Sequence, residues 1–149
     1  MENEKRRNYV LDSSIAVKWF VDEEDSNKAR LLKDRFVAGE LEIAAPNLLK
    51  YEVANALRWH PIAHIDGRSL ARALITIDDY QFLVDPPEEA WNRAIELSYL
   101  SRISPYDGIY LGLAHTLSSR LLTADQNLIA AVPSSERAII ASLARLVLE

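Results

Sequence analysis

Asp12, Glu52, Asp107 and Asp125 are the side chains of this sequence best suited to chemistry, because each stands where an apolar run hands over to a helix or on a helix flank. Taken singly, each has an ordinary explanation. Asp12 and Asp125 suit helix N-caps, Asp107 lies three residues after Ser104 as in a capping box, and Glu52 suits a solvated helix surface. The joint pattern is less ordinary. In an open parallel sheet, strand carboxyl ends and helix N-termini gather on one edge, where ligands bind. Asp12, Asp107 and Asp125 would point there, with Glu52 reaching in from the side. Converging carboxylates raise one another's pKa unless a cation neutralises them, and Mg2+ or Mn2+ accepts carboxylate and water oxygens. Phosphodiester hydrolysis fits such a site.

The elements that must position these acids follow from local patterning. Tyr9–Leu11 reads as a strand ending at Asp12, and Ser13 and Ser14 as N-caps of a helix over Ile15–Val21. Asp25 or Ser26 caps a second helix that stops at Gly39. Leu41–Ala44 is a second strand, and Pro46 and Asn47 open a helix with Leu49, Val53, Ala56 and Leu57 on its apolar face and Glu52 along it. Asp66 caps a helix carrying Leu70, Ala73, Leu74 and Ile77, and Phe82–Val84 is a short strand. Asp85, Pro86 and Pro87 begin a helix whose apolar stripe is Ala90, Trp91, Ala94, Ile95 and Leu97. Ser104 and Pro105 start the next, with Asp107 in its first turn. Arg120–Thr123 is a strand followed by a short helix, Gln126–Ala131, while the tail from Arg137 suits either an edge strand or a helix. Short strands alternating with longer helices predict one α/β domain over residues 1–149, with a mostly parallel sheet of about four or five strands flanked by helices. Residues 1–8 read as a flexible polar extension.

Composition narrows the function. A chain of 149 residues with 49% hydrophobic content can bury one substantial core. It has no cysteine, so disulfides and thiolate metal sites are excluded and a reducing cytoplasm suits it. The net charge of -5 argues against a broadly basic nucleic-acid-coating surface but permits a local basic patch. No apolar stretch approaches the roughly 20 residues that span a bilayer. The four glycines make neither a phosphate-binding loop nor a dinucleotide fingerprint. His60, His64 and His115 lack zinc-protease spacing and no serine lies in a nucleophile elbow. Trp19, Trp59 and Trp91 read as core or interface aromatics.

The segments YVLDSSIAVKWF, APNLLKYEVANAL, SPYDGIYLGLA and LLTADQNL, each framing one acid, resemble the motifs of PIN-domain nucleases, specifically the VapC-like toxins of toxin-antitoxin pairs. The resemblance covers nearly the whole chain. It implies a Mg2+- or Mn2+-dependent endoribonuclease with Asp12 and Asp107 as the firmest metal ligands and Glu52 and Asp125 completing the pocket. Ser14 matches a supporting polar position, Thr123 falls within the last motif, and Asn55 lies one turn beyond Glu52. Single-stranded or looped RNA is the implied substrate, because unpaired RNA can bend a phosphate into a recessed site. Lys18, Lys50 and Arg58 are candidate phosphate contacts, and solvated surface charge explains them equally. The resemblance further implies a homodimer and a cognate antitoxin whose peptide fills the acidic pocket, with Trp19 or Phe20 contributing exposed aromatic surface. Gly108 stands where such proteins more often carry alanine. Two alternatives remain: a PIN-like nuclease on another nucleic acid with no toxin role, and a non-catalytic interaction module whose acids are only caps.

Overall fold

A computed structural model of the protein describes residues 7–148. Its elements are β1 (Arg7–Leu11), α1 (Ser13–Phe20), α2 (Ser26–Val37), β2 (Leu41–Pro46), α3 (Leu48–Arg58), α4 (Gly67–Asp79), β3 (Leu83–Val84), α5 (Glu88–Ser101), α6 (Pro105–Thr116), β4 (Arg120–Thr123), α7 (Gln126–Ala131) and β5 (Ile140–Ser142). Of the predicted polar extension, residues 1–6 lie outside the described residues, whereas Arg7 and Asn8 already pair with Leu41 and Glu42 of β2.

All five strands are parallel, in the order β3-β2-β1-β4-β5. The chain builds outward from β1 in one direction and then, by a long crossover through α5 and α6, in the other. Right-handed crossovers therefore place α1–α4 on one face and α5–α7 on the opposite face. The order reverses between β1 and β4, so the crevice beyond their carboxyl ends is the topological switch point, where open α/β sheets bind ligands.

Several local readings hold and several give way to tertiary packing. Asp66 accepts from the Ser69 backbone N–H at 2.7 Å, Gly39 ends α2 with φ of 77°, and Ser104 caps α6 ahead of Pro105. Ser13 and Ser14 are the first residues inside α1 rather than its caps. Asp25 occupies the N-cap of α2 with φ of 63° and makes no side-chain cap bond, while the Ser26 hydroxyl ties the preceding loop by accepting from Glu23 N–H and donating to the Val21 carbonyl. Pro46 closes β2 instead of opening α3. On α3, Leu49, Val53 and Leu57 are buried while Ala56 faces solvent. The open tail resolves into a 3-10 turn over Ser134–Ile139, the edge strand β5, and a second 3-10 turn over Leu143–Arg145. Buried Glu136 anchors this segment by accepting from Arg93 on α5 and bonding His115 on α6.

Trp19 follows its reading as a core aromatic and not the one that made it exposed groove surface. It is 6% exposed, stands edge-on to Tyr80 and Phe82, and donates its indole N–H to the Ala29 carbonyl at 3.0 Å, so it is core and supplies no groove surface. Conversely, Trp91 and Ile95 on α5 are exposed, and the buried stripe there is Ala90, Ala94 and Leu97.

The small residues explain how α6 becomes the central helix. Its residues Gly108–Ala114 are all buried, packed across β1, β2 and β4 with α5 laid against its outer side. Gly108 meets Ala94 and Gly112 meets Ala90, so the two backbones nearly touch. A Cβ added at Gly108 would stand 2.7 Å from the Ala94 carbonyl oxygen, and one at Gly112 only 2.2 Å from that of Ala90. Alanine, expected at position 108 by resemblance, is thus too large for this crossing. Gly112→Ala is predicted to lower stability by about 1–3 kcal/mol, the usual cost of overpacking a core. Chemical denaturation would check this: the midpoint should fall more for Gly112→Ala than for Gly108→Ala.

Candidate active site

Asp12 follows the last residue of β1, and its backbone N–H extends the ladder by donating to the Leu122 carbonyl of β4 at 3.0 Å. It stands at the N-cap of α1 yet makes no side-chain cap bond. Its carboxylate is committed elsewhere. Oδ2 accepts the Ser14 hydroxyl at 2.6 Å and the Thr123 hydroxyl at 2.8 Å. Those hydroxyls in turn accept the backbone N–H groups of Ala124 and Asp125, both at 3.0 Å. One buried carboxylate therefore joins the end of β1, the start of α1, the end of β4 and the approach to α7.

Asp125 is a working N-cap: Oδ1 accepts from Asn127 N–H at 3.0 Å and Leu128 N–H at 3.1 Å. These bonds fix its carboxylate at the start of α7, from where its charge acts on Asp12 and Asp107. Asp107 sits in the first turn of α6, where its own N–H donates to Ser104 Oγ at 3.1 Å. Glu52 approaches from α3 on the other helical layer. Its Oε1 accepts the Tyr110 hydroxyl from α6. This Tyr110–Glu52 bond spans the two helical layers around the edge of the sheet.

Asp12, Glu52 and Asp107 are each raised by burial and by neighbouring carboxylates. Burial pushes the Asp12 carboxyl above its ordinary range, against the lowering pull of the two hydroxyls, and the Asp125 charge adds to the rise. Burial likewise raises Glu52, with Asp12 and Asp107 adding to it while the Tyr110 bond opposes. Asp107 is raised by burial and then by Asp12 and Asp125. Burial together with the Glu52 and Asp12 charges holds the Tyr110 phenol far above its normal value, so it stays a neutral donor. No basic side chain is among the influences on these three carboxyls.

This donor set fits a hard divalent cation. Every ligating atom is an oxygen, and the cluster carries repulsion that a cation would remove. Among the described residues, no three His, Asp or Glu side chains form a ready-made metal cage.

The other candidates fall outside this network. Asn55 is exposed on α3. Lys18 pairs with Glu23 at 3.3 Å, Lys50 with Asp78 at 2.6 Å, and Arg58 lies 4.1 Å from the Trp59 ring centre. Sequence reasoning assigned no role to Tyr110. Its place three residues after Asp107, one turn along the same face, was the signal available.

Several solved structures share the fold. Protein PAE2754 from Pyrobaculum aerophilum aligns with a TM-score of 0.66 at 18% identity, covering 93% of this chain and 90% of that one. VapBC2 from Rickettsia felis, solved bound to a DNA fragment from its promoter, aligns at 0.66 and 13% identity, covering 91% and 98%. A toxin-antitoxin complex from Klebsiella pneumoniae aligns at 0.61 and 15%, covering 91% and 97%. Residues 9–133, which include all four acids, match the PIN domain family, and the chain belongs to that family. It is also 36% identical over 89 residues to Ribonuclease VapC1 of Mycobacterium tuberculosis (strain CDC 1551 / Oshkosh), an alignment spanning 58% of this chain and 65% of that relative.

The raised carboxyls carry a stability consequence. A group whose pKa is higher folded than unfolded binds protons more tightly in the native state, so stability falls as pH rises from the unfolded value through the folded one. Removing such a charge should therefore stabilise the metal-free protein. Asp107→Asn is expected to raise Tm in chelator at neutral pH, and the gain should vanish below the ordinary aspartate value of 3.8. A lower Tm for Asp107→Asn at neutral pH would show instead that capping dominates.

Proposed function

We propose that the protein is a divalent-metal-dependent endoribonuclease that hydrolyses single-stranded or looped RNA and acts as the toxin of a toxin-antitoxin pair. The carrying observation is the acidic edge, where Asp12, Glu52 and Asp107 are each raised by burial and by at least one neighbouring carboxylate, and no basic side chain is among the main influences on them. PIN-domain nucleases generally use divalent metal ions. The likeness to Ribonuclease VapC1 supports RNA as the substrate, and the fold shared with toxin-antitoxin complexes supports an antitoxin partner.

In this reading Asp12 and Asp107 would be the firmest ligands of the cation, with Glu52 and Asp125 completing the acidic pocket. The bound ion would supply a water acidic enough to attack an RNA phosphate in line and would offset charge on the phosphoryl oxygens. Ser14 and Thr123 are positioning residues that leave Asp12 one orientation. Tyr110, neutral at working pH, fixes Glu52 against the repulsion of Asp12 and Asp107. Asp125 is oriented by the first turn of α7. A homodimer, a cytoplasmic location and occlusion of the pocket by an antitoxin peptide complete the proposal. Among the described residues, no helix is long and apolar enough to cross a membrane.

Inducible expression in a bacterial host tests it directly. Wild type should arrest growth and leave discrete RNA ends that a chelator suppresses in vitro, while Asp12→Asn and Asp107→Asn should lose at least about a hundredfold of cleavage, as expected when metal-held electrostatic stabilisation is removed. Mg2+ or Mn2+ should raise the Tm of wild type and fail to raise that of Asp12→Asn. Identical cleavage by all three folded proteins would overturn the assignment.

A further inference from the structure

Three arginines meet in a cleft of about 560 Å3 between α7, β5 and the turns flanking that strand. Arg120, Arg137 and Arg145 line it, with Gln126, Ser142 and the apolar side of Ile129. No acidic side chain lines it, although the whole chain carries a net charge of -5. Arg120 donates to the Ile140 carbonyl at 2.9 Å, which holds the strand edge, and all three arginines are exposed. Neither Arg137 nor Arg145 has an ion-pair partner among the described residues. Arg120 and Arg145 also line an adjoining concavity with Asn8 and Tyr9.

The cleft is continuous with the acidic edge. Ser142 pairs in register with Thr123, whose hydroxyl holds Asp12. Gln126, next to Asp125 at the start of α7, bonds Ser142 at 3.3 Å. Ala124, Gln126, Ser142 and Arg145 line one further depression together with Lys18 and the acids Glu24 and Asp25. From Thr123 to Arg120 along β4 is on the order of 10 Å at strand rise. An arginine fork matches a phosphate bidentately, and a basic groove tracking a backbone is how single strands are held without sequence reading.

We propose that this β5–α7 cleft is a phosphate-backbone subsite, in which Arg137 and Arg145 hold the stretch of single-stranded RNA flanking the phosphate at the acidic edge. The inference rests on the nuclease reading for the identity of its ligand. RNA enters at the switch point and leaves along the outer edge of β5. Its negative backbone thereby exchanges the repulsion of the acids for the attraction of the arginines.

The test is binding of a fluorescein-labelled single-stranded oligouridylate by anisotropy, in chelator so that nothing is cleaved, across a range of salt. Arg137→Gln/Arg145→Gln should bind about tenfold more weakly and lower the salt slope by about 1.4, the value for two lost single-strand phosphate contacts. A control pair with the same charge change elsewhere, Lys33→Gln/Arg68→Gln, should leave the slope near that of wild type. Wild-type Kd and slope in the cleft variant, or no oligouridylate binding by wild type, would overturn the proposal. So would arginine-dependent capture of polyglutamate with no binding of the RNA, which would mark an acidic-peptide site. Hydrolysis is read separately. Arginine-dependent binding with no cleavage by wild type in Mg2+ would sink the nuclease reading alone, and cleavage with arginine-independent binding would sink the cleft alone.

Discussion

Burying a carboxylate where other carboxylates converge is unfavourable, and the architecture around Asp12 is organised to tolerate it. Two hydroxyls satisfy Oδ2, and those hydroxyls are themselves fixed by backbone N–H groups. Burial and the neighbouring carboxylates still leave Asp12 and Asp107 raised, and no lysine or arginine is among the main influences on them. A site built from packed hydroxyls and helix starts keeps its ligands oriented before the ion arrives, which lowers the ordering cost of binding.

That arrangement depends on α6 lying very close to the sheet and to α5. The glycine and alanine pairs at the crossing remove side-chain bulk between the two helices, so α6 can be apolar on all sides and still be covered. Its N-terminus is thereby set at the switch point, which fixes Asp107 and Tyr110 relative to β1 and β4. The Glu136 cluster plays a parallel part for the tail, tying the turn before β5 to α5 and α6. Without that anchor the arginines of the β5–α7 cleft would have no fixed place beside the acids.

Charge is thus sorted by position rather than by composition. The acids occupy the carboxyl edge of the sheet, and the arginines line its outer side at β5. A net charge of -5 conceals this separation, which is why global charge is a weak guide to partners.

The sequence by itself determined the strand ends and helix starts that bear the acids. Apolar runs ending at Asp12 and before Asp125, the Ser104–Pro105 start and the regular alternation of strand and helix encode local structure and a parallel sheet, since those signals depend only on near neighbours. What it left open was which residues meet. Asp12 finds Thr123 across 111 positions, Glu52 finds Tyr110 across 58, and Trp19 turns inward where core and groove were both open readings. These outcomes follow from strand order, crossover hand and the close α5–α6 contact. Tertiary structure decided them because packing selects among partners whose local patterns look alike.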